Sequence, residues 1–377
     1  MPDNNFRKQE AKKYEKIKLI TGITESLLTF MLILFLIISG FTKKLEFFTT
    51  GYFSNPYLQL LLLGTVIGII MMLISFPFDY FFGFRLEHKY NLSNLTFTGW
   101  IKEKAKGFLV GLLLGLPIIF LFYWLVSSYT FWWIIFGFII NIYSVLLAKI
   151  APIFIFPLFY KFKPIDDEAL KNRILALCEK IGFKIKGVFA FDMSKTTKKA
   201  NAAFTGIGKT RRIIIGDTLI SGFSHDEIET VFAHELGHYK KGHIRNQIII
   251  SFFSTFAGLF LISVVYDALL PVFGFTYRWE IAALPLLMLI AGTLAFLTSP
   301  FGAFISRKYE FEADRFAIDT TGNFDVFKSA MEKLAFQNLS DDEPPKLVEF
   351  WFHSHPSIKR RIEHVEEYFK SLEAAKA

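Results

Sequence analysis

Ser224-His-Asp-Glu-Ile-Glu-Thr-Val-Phe-Ala-His-Glu-Leu-Gly-His238 reads as one helix. Ser224 and Glu227 fit the Ser-x-x-Glu capping pattern, so the helix should begin there. At about 100° per residue, His234 and His238 share a face, and both imidazoles can reach one metal ion. Glu235 sits beside them, placed to activate a water rather than to bind the metal, as metalloprotease chemistry requires. Ala233, Leu236 and Gly237 are small or apolar, which suits a buried metal-site helix better than a solvated face carrying two stacked histidines.

A catalytic zinc usually takes three protein ligands and leaves a fourth position for water, so a further ligand must come from elsewhere. Ser306-Arg-Lys-Tyr-Glu-Phe-Glu-Ala-Asp314 offers Glu310 and Asp314 at i, i+4 on one helical face, while Glu312 points about 200° away from Glu310. One carboxylate would ligate, and the other would orient a ligand histidine through its second ring nitrogen. Spacing alone does not rank them. His243, five positions after His238, lies off the metal face and reads as a solvent or structural contact.

The rest of the chain belongs in lipid. Of 377 residues 53% are hydrophobic, 46 are Phe, and the mean hydropathy is +0.39, which excludes a single soluble globule. Apolar windows run over 19–41, 58–76, 108–126, 131–151, 248–269 and 281–303, making six spans. The first is too long for a cleavable signal peptide. Residues 1–18 carry six Lys and Arg and 83–106 carry five, against two in 42–57, none in 127–130 and one in 270–280. Both termini are therefore expected on the cytoplasmic side. The organisation that follows is a basic N-terminus at 1–18, spans one to four over 19–160, a catalytic region at 161–247, spans five and six over 248–303, and a second catalytic region at 304–377. Both catalytic regions then lie on the cytoplasmic face.

The net charge of +8 has its origin in these flanking basic residues, so no nucleic-acid partner is implied. The single Cys178 excludes an internal disulfide and a multi-cysteine zinc site. Within the first catalytic region, 187–193, 201–206 and 211–216 read as short strands, the last two joined by the Gly206-Ile-Gly-Lys turn. A small antiparallel sheet is expected in an otherwise mostly α, polytopic membrane protein.

His234-Glu-Leu-Gly-His238 together with Ser306-Arg-x-x-Glu310-x-x-Ala-Asp314 resembles the integral-membrane zinc metallopeptidases that include the type I CAAX prenyl proteases and the HtpX heat-shock proteases. Asn201-Ala-Ala-Phe204 followed by Asp217-Thr-Leu219, and Pro152-Ile-Phe-Ile-Phe-Pro-Leu-Phe-Tyr-Lys-Phe162, are similar to segments of the CAAX branch. The likeness runs from about residue 57 to 370. It implies one Zn2+ per chain held by His234, His238 and Glu310, with Asp314 supporting. It implies that Asn201, Ala202, Ala203 and Phe204 form an edge gripping an extended substrate through backbone hydrogen bonds. Trp351-Phe-His-Ser-His-Pro-Ser-Ile-Lys-Arg-Arg-Ile362 resembles the family's His-Pro-x-x-x-x-Arg segment, making His355 the oxyanion-stabilising group and Arg361 a substrate or structural anchor.

The eukaryotic members have seven spans enclosing an intramembrane chamber, and the first of those has no counterpart here. Six spans would form a comparable α-barrel-like body. The shorter chain points to a prokaryotic cytoplasmic membrane rather than an ER membrane. The resemblance implies hydrolysis of peptide bonds, with the C-terminal tripeptide of prenylated CAAX proteins as substrate. The alternatives are a broad membrane-protein quality-control protease, prenylated substrate or not, and a non-catalytic scaffold with structural zinc. A structural zinc site has no use for an unligated carboxylate at Glu235. Oligomeric state is not legible in the sequence.

Overall fold

The computed structural model describes residues 4–183, 185–205 and 212–375. Long apolar runs satisfy their backbone polar groups in lipid as helices, and all six windows are helical. The first half comprises α1 (Asn4–Ile38), α2 (Phe41–Thr50), α3 (Pro56–Tyr80), α4 (Glu87–Lys89), α5 (Phe97–Ser128), α6 (Trp132–Ile150) and α7 (Phe156–Phe159). Pro77 precedes a π-helical turn at Phe81–Leu86 that joins α3 to α4, and Pro152 lies in a second such turn, Ala151–Ile155, between α6 and α7. Proline lacks an N–H and removes one ladder bond at each place. The amphipathic helix α2 occupies the 42–57 loop, where none was expected.

Among the described residues, six helical segments are long and apolar enough to cross a membrane: Asn5–Ile38, Pro56–Lys89, Phe97–Ser128, Trp132–Phe159, His243–Leu269 and Ile281–Thr321. The shortest has 27 residues, about 40 Å at 1.5 Å per residue, against a hydrocarbon layer of about 30 Å. The helices therefore outrun the apolar layer, and their projecting ends can carry polar chemistry. Leu113, Phe253 and Phe301 are exposed on helix surfaces, as side chains against acyl chains would be.

Beyond α7 come β1 (Phe162–Pro164), α8 (Glu168–Lys180), β2 (Val188–Phe191), β3 (Ala202–Thr205), β4 (Arg212–Gly216), α9 (Asp217–Gly222) and α10 (His225–Lys240). The expected strands are present, while the Gly206-Ile-Gly-Lys turn lies outside the described residues. The sheet order is β1-β2-β4-β3. The expectation of a purely antiparallel sheet needs correction, because β2 pairs with β4 in parallel while β1–β2 and β3–β4 are antiparallel. The cause is the run Ile213-Ile-Ile215, apolar at consecutive positions and buried on both faces. Such a strand belongs in the sheet interior, so β4 inserts between β2 and β3 and leaves the half-buried β3 at the edge.

The chain closes with α11 (His243–Leu269), α12 (Leu284–Thr321), α13 (Phe324–Asn338), α14 (Lys346–Phe352) and α15 (Ile358–Ala374). Helix α12 is unbroken through the boundary expected at 303/304. Helix α10 lies between the sheet and α12, with Ile228, Phe232, Ala233 and Leu236 in one core with Ile213, Ile215, Leu170, Ile174 and Ala317. Gly237 permits the closest approach. A Cβ there would stand 3.0 Å from the Ala313 Cα and 3.1 Å from its carbonyl oxygen, so a larger residue would push α10 off α12.

The capping box at the start of α10 is complete: Ser224 Oγ accepts from Glu227 N, and Ser224 N donates to Glu227 Oε2 at 2.8 Å. Burial pushes the Glu227 carboxyl up, but hydrogen bonds from Lys333, Ser329 and Ser224 outweigh it and hold the pKa below its ordinary value. A depressed pKa stabilises the fold above the unfolded value near ~4.3 and loses that contribution as pH falls through the folded value. Glu227→Gln should lower stability by about 2 kcal/mol at neutral pH and flatten the acid limb. Thermal unfolding midpoints in detergent from pH 3 to 8 check both.

Candidate metal centre

Four side chains converge where α10 crosses α12. The i, i+4 spacing puts His234 and His238 on the face of α10 that meets α12, which answers with Glu310 and Asp314. The two Nε2 atoms are 3.2 Å apart, and Glu310 places Oε1 3.2 Å from His238 Nε2 and Oε2 3.4 Å from His234 Nε2. One ligand atom from each of His234, His238 and Glu310 lies within 4.8 Å of the others.

The donor set fits a divalent cation. Two imidazole nitrogens and a carboxylate oxygen directed at one point match the three-ligand pattern of catalytic metal sites. Glu310 is buried, and its Oε2 has no hydrogen-bond partner among the described residues. His355 Nδ1 lies 3.0 Å from that oxygen, within ion-pair reach but outside hydrogen-bond geometry. With only ion-pair contacts at this oxygen, from His234, from His355 and from Arg361 Nη1 at 3.6 Å, its hydrogen-bonding capacity is left for a bound cation to take up.

Asp314 is fully buried, and its Oδ1 lies 2.8 Å from His234 Nδ1. That contact leaves Nε2 as the nitrogen directed at the centre, the usual device by which a carboxylate fixes a ligand imidazole. Arg361 closes the arrangement from α15, donating from Nε to Asp314 Oδ2 at 2.8 Å and from Nη2 to Oδ1 at 2.6 Å. Burial pulls the Arg361 pKa down, and Asp314 and Glu310 more than reverse it, so the guanidinium stays charged. In the metal-free protein, burial likewise lowers the His234 pKa, and Asp314 overcomes it and raises the value to about 9. Of the two roles expected for Arg361, the geometry fits the anchor, because the buried guanidinium is shared among Asp314, His234 and, at 3.6 Å, Glu310.

His355 sits on the loop between α14 and α15, with its side chain 63% exposed and open to the centre. The buried Arg307 fixes the start of this loop, donating to the carbonyls of Glu349 and His353 at 3.0 and 2.7 Å. Arg307 is part of the Ser306-Arg-x-x-Glu310 pattern, but its role is not legible in the sequence.

Glu235 lines a cleft of about 410 Å³ together with His238, Phe204, Thr205, Phe183 and Tyr309. Among the described residues strand β3 pairs only with β4 and forms one edge of the sheet, β1 being the other. Phe204 and Thr205 thus reach the same cleft as Glu235, and Phe204 packs edge-on to Phe183 at 5.3 Å. Asn201 is exposed just before the strand, and its carbonyl accepts from Gly216 N. Ala202 and Ala203 lie in the edge strand but outside the cleft lining. Thr205, one residue past the expected 201–204 edge, belongs to it.

His243 is the main residue that sequence reading undervalued. It is buried, with Nδ1 3.1 Å from His238 Nδ1 and Nε2 3.1 Å from Glu312 Oε2. A signal existed in Lys241-Gly242, since Gly242 at φ 71° turns the chain sharply before α11 and folds His243 back toward His238. The conspicuous residues elsewhere have ordinary roles. Burial pushes the Cys178 thiol up to about 11, and His88 bridges the carbonyls of Phe84 and Leu95.

The chain is similar to known proteins over most of its length. Residues 164–369 match the family described as peptidase family M48, and residues 1–161 match one described as CAAX prenyl protease N-terminal, five membrane helices. In this chain that second stretch holds four of the six candidate spans. The chain is 30% identical to the uncharacterized metalloprotease YhfN of Bacillus subtilis, over 95% of this chain and 85% of that protein. It is 32% identical to CAAX prenyl protease 1 of Saccharomyces cerevisiae, over 79% of this chain and 70% of that one. The crystal structure of S. mikatae Ste24p superposes with a TM-score of 0.87 at 26% identity, covering 97% of this chain and 90% of that one.

Removing one partner of the buried Arg361–Asp314 pair leaves an uncompensated charge. Arg361→Ala should therefore cost about 3–5 kcal/mol, and the double variant Arg361→Ala/Asp314→Ala should lose clearly less than the sum of the single losses. Thermal unfolding of the three variants in detergent checks this.

Proposed function

The chain belongs to peptidase family M48, as a multi-pass membrane metallopeptidase of the type I CAAX prenyl protease kind, and we propose that its ion is zinc, held by His234, His238 and Glu310. The observation that carries the reading is the convergence of these three donors beside Glu235, in a cleft shared with an open sheet edge. When bound, zinc supplies Lewis acidity that polarises a peptide carbonyl and lowers the pKa of water.

The remaining work falls to the chain's own residues. The backbone of 201–204, extended to Thr205, holds an extended peptide by strand addition, which fixes register without demanding a particular sequence. Glu235 takes a proton from the attacking water as the new C–O bond forms, and returns it to the amine nitrogen as the C–N bond breaks. His355 hydrogen-bonds the developing oxyanion from the open side of the centre. Asp314 and Arg361 hold His234 in its ligating orientation. A scaffold with structural zinc fits poorly, because such a site recruits a fourth protein ligand and gives Glu235 no task.

The substrate we favour is the C-terminal tripeptide of a prenylated CAAX protein, which the relatives' names support. The Lys and Arg distribution supports a cytoplasmic site, with the catalytic part built from 161–247 and the segment from the end of α12 to the C-terminus.

Glu235→Gln should keep zinc and fold while peptide cleavage falls by at least about 10²–10⁴-fold, the usual contribution of a general base. Matched farnesylated and unprenylated CAAX peptides, assayed against that variant as background, test the substrate. Preference for the farnesylated peptide supports CAAX processing. Equal cleavage of both would replace it with a broad membrane-protein protease, and no cleavage of either would overturn the peptidase assignment of this site.

A further inference from the structure

The two ligand histidines face different surroundings. Asp314 accepts directly at His234 Nδ1, but among the described residues no carboxylate touches His238 Nδ1. That position is taken by His243 Nδ1 at 3.1 Å, and the far nitrogen of His243, Nε2, lies 3.1 Å from Glu312 Oε2.

We propose that His243 and Glu312 form a relay that positions His238, an inference that rests on the zinc reading above. An imidazole that ligates through Nε2 carries its proton on Nδ1. His238 Nδ1–H therefore donates to His243 Nδ1, and His243, accepting there, carries its own proton on Nε2 and donates it to Glu312 Oε2. Each nitrogen then has one role, and each ligand histidine is tied to a carboxylate of the same helix, His234 directly and His238 through one intervening ring.

The fold builds this device from three elements. Gly242, at φ 71°, ends α10 and starts α11, so His243 turns back to stand behind His238. Tyr309 lies flat on the His243 ring, with centroids 4.1 Å apart and planes 7° apart, which fixes the ring plane. Helix α12 presents Glu310 to α10 and, about 200° around its axis, Glu312 to the start of α11. Glu310 meets the Nε2 side of His238, and Glu312 serves its Nδ1 side through His243. The Glu312 side chain is 36% exposed, against 0% for Asp314, so the relay ends at the protein surface where substitution disturbs no core.

The test is zinc affinity of the detergent-purified full chain, measured by competition with a fluorescent chelator, alongside the thermal midpoint of the metal-free protein. His243→Phe keeps an aromatic ring for the Tyr309 stack but cannot accept, and should weaken zinc about 10–100-fold, the usual effect of losing such a partner. His243→Gln, whose amide can accept from His238 and donate to Glu312, should recover much of the loss. At Glu312, Leu should weaken zinc while Gln retains it, and neither should move the metal-free midpoint. Wild-type affinity in both His243→Phe and Glu312→Leu would overturn the relay, provided His234→Ala has lost zinc. Undiminished zinc in His234→Ala would instead overturn the metal-centre reading, and the relay with it.

Discussion

Helices α10 and α12 meet backbone to backbone at Gly237 and Ala313, and everything chemical in the molecule depends on that approach. Each helix carries its ligand candidates at i, i+4, so each alone offers only a pair of side chains on one face. Brought close enough, the two faces close on a single point, and His234, His238 and Glu310 come within 4.8 Å of one another. The small residue inside His-Glu-Leu-Gly-His is thus a packing requirement as much as part of a motif. Ile228, Phe232 and Leu236 hold α10 against the sheet on its other side, which leaves α10 no freedom to drift.

Burying this much charge is costly, and the structure answers by pairing it. Asp314 and Arg361 are buried together in bidentate geometry, the arrangement in which an ion pair best offsets its own desolvation. The pair brings α15 to the back of the centre. Arg307 in turn ties the loop before α15 to α12, so the exposed His355 is held by backbone contacts two residues away. The membrane helices contribute length: α11 and α12 are long enough to bring polar residues of the centre clear of the apolar layer on helices anchored within it.

Much of this was legible in the chain. The six spans rest on a strong, additive signal, and the capping box at Ser224 fixed the helix phase that carries His234 and His238. The i, i+4 pair Glu310 and Asp314 was visible, but which one faces the centre was not, because both share a face and only the tilt of α12 on α10 separates them. The positions of β2, β3 and β4 were visible as well, while β1 and the strand order were not. The turn between the last two expected strands suggests an antiparallel sheet, whereas the triple isoleucine of β4, buried on both faces, suits an interior position. His243 escaped because its position was judged by the periodicity of a helix that ends before it. Its contact with His238 depends on the left-handed Gly242, a tertiary turn that periodicity cannot see. Glu312 was set aside for pointing away from Glu310, and that is the direction in which α11 lies.

The central claim is an open, catalytic zinc centre built from two imidazoles and one carboxylate. X-ray absorption at the zinc edge of the loaded, detergent-purified protein tests it most directly. The account predicts two imidazole nitrogens at about 2.0–2.1 Å and oxygen ligands at about 2.0–2.2 Å from Glu310 and solvent, with the oxygen shell altered in Glu310→Gln. A shell of three or four protein imidazoles, or one indifferent to Glu310→Gln, would contradict it.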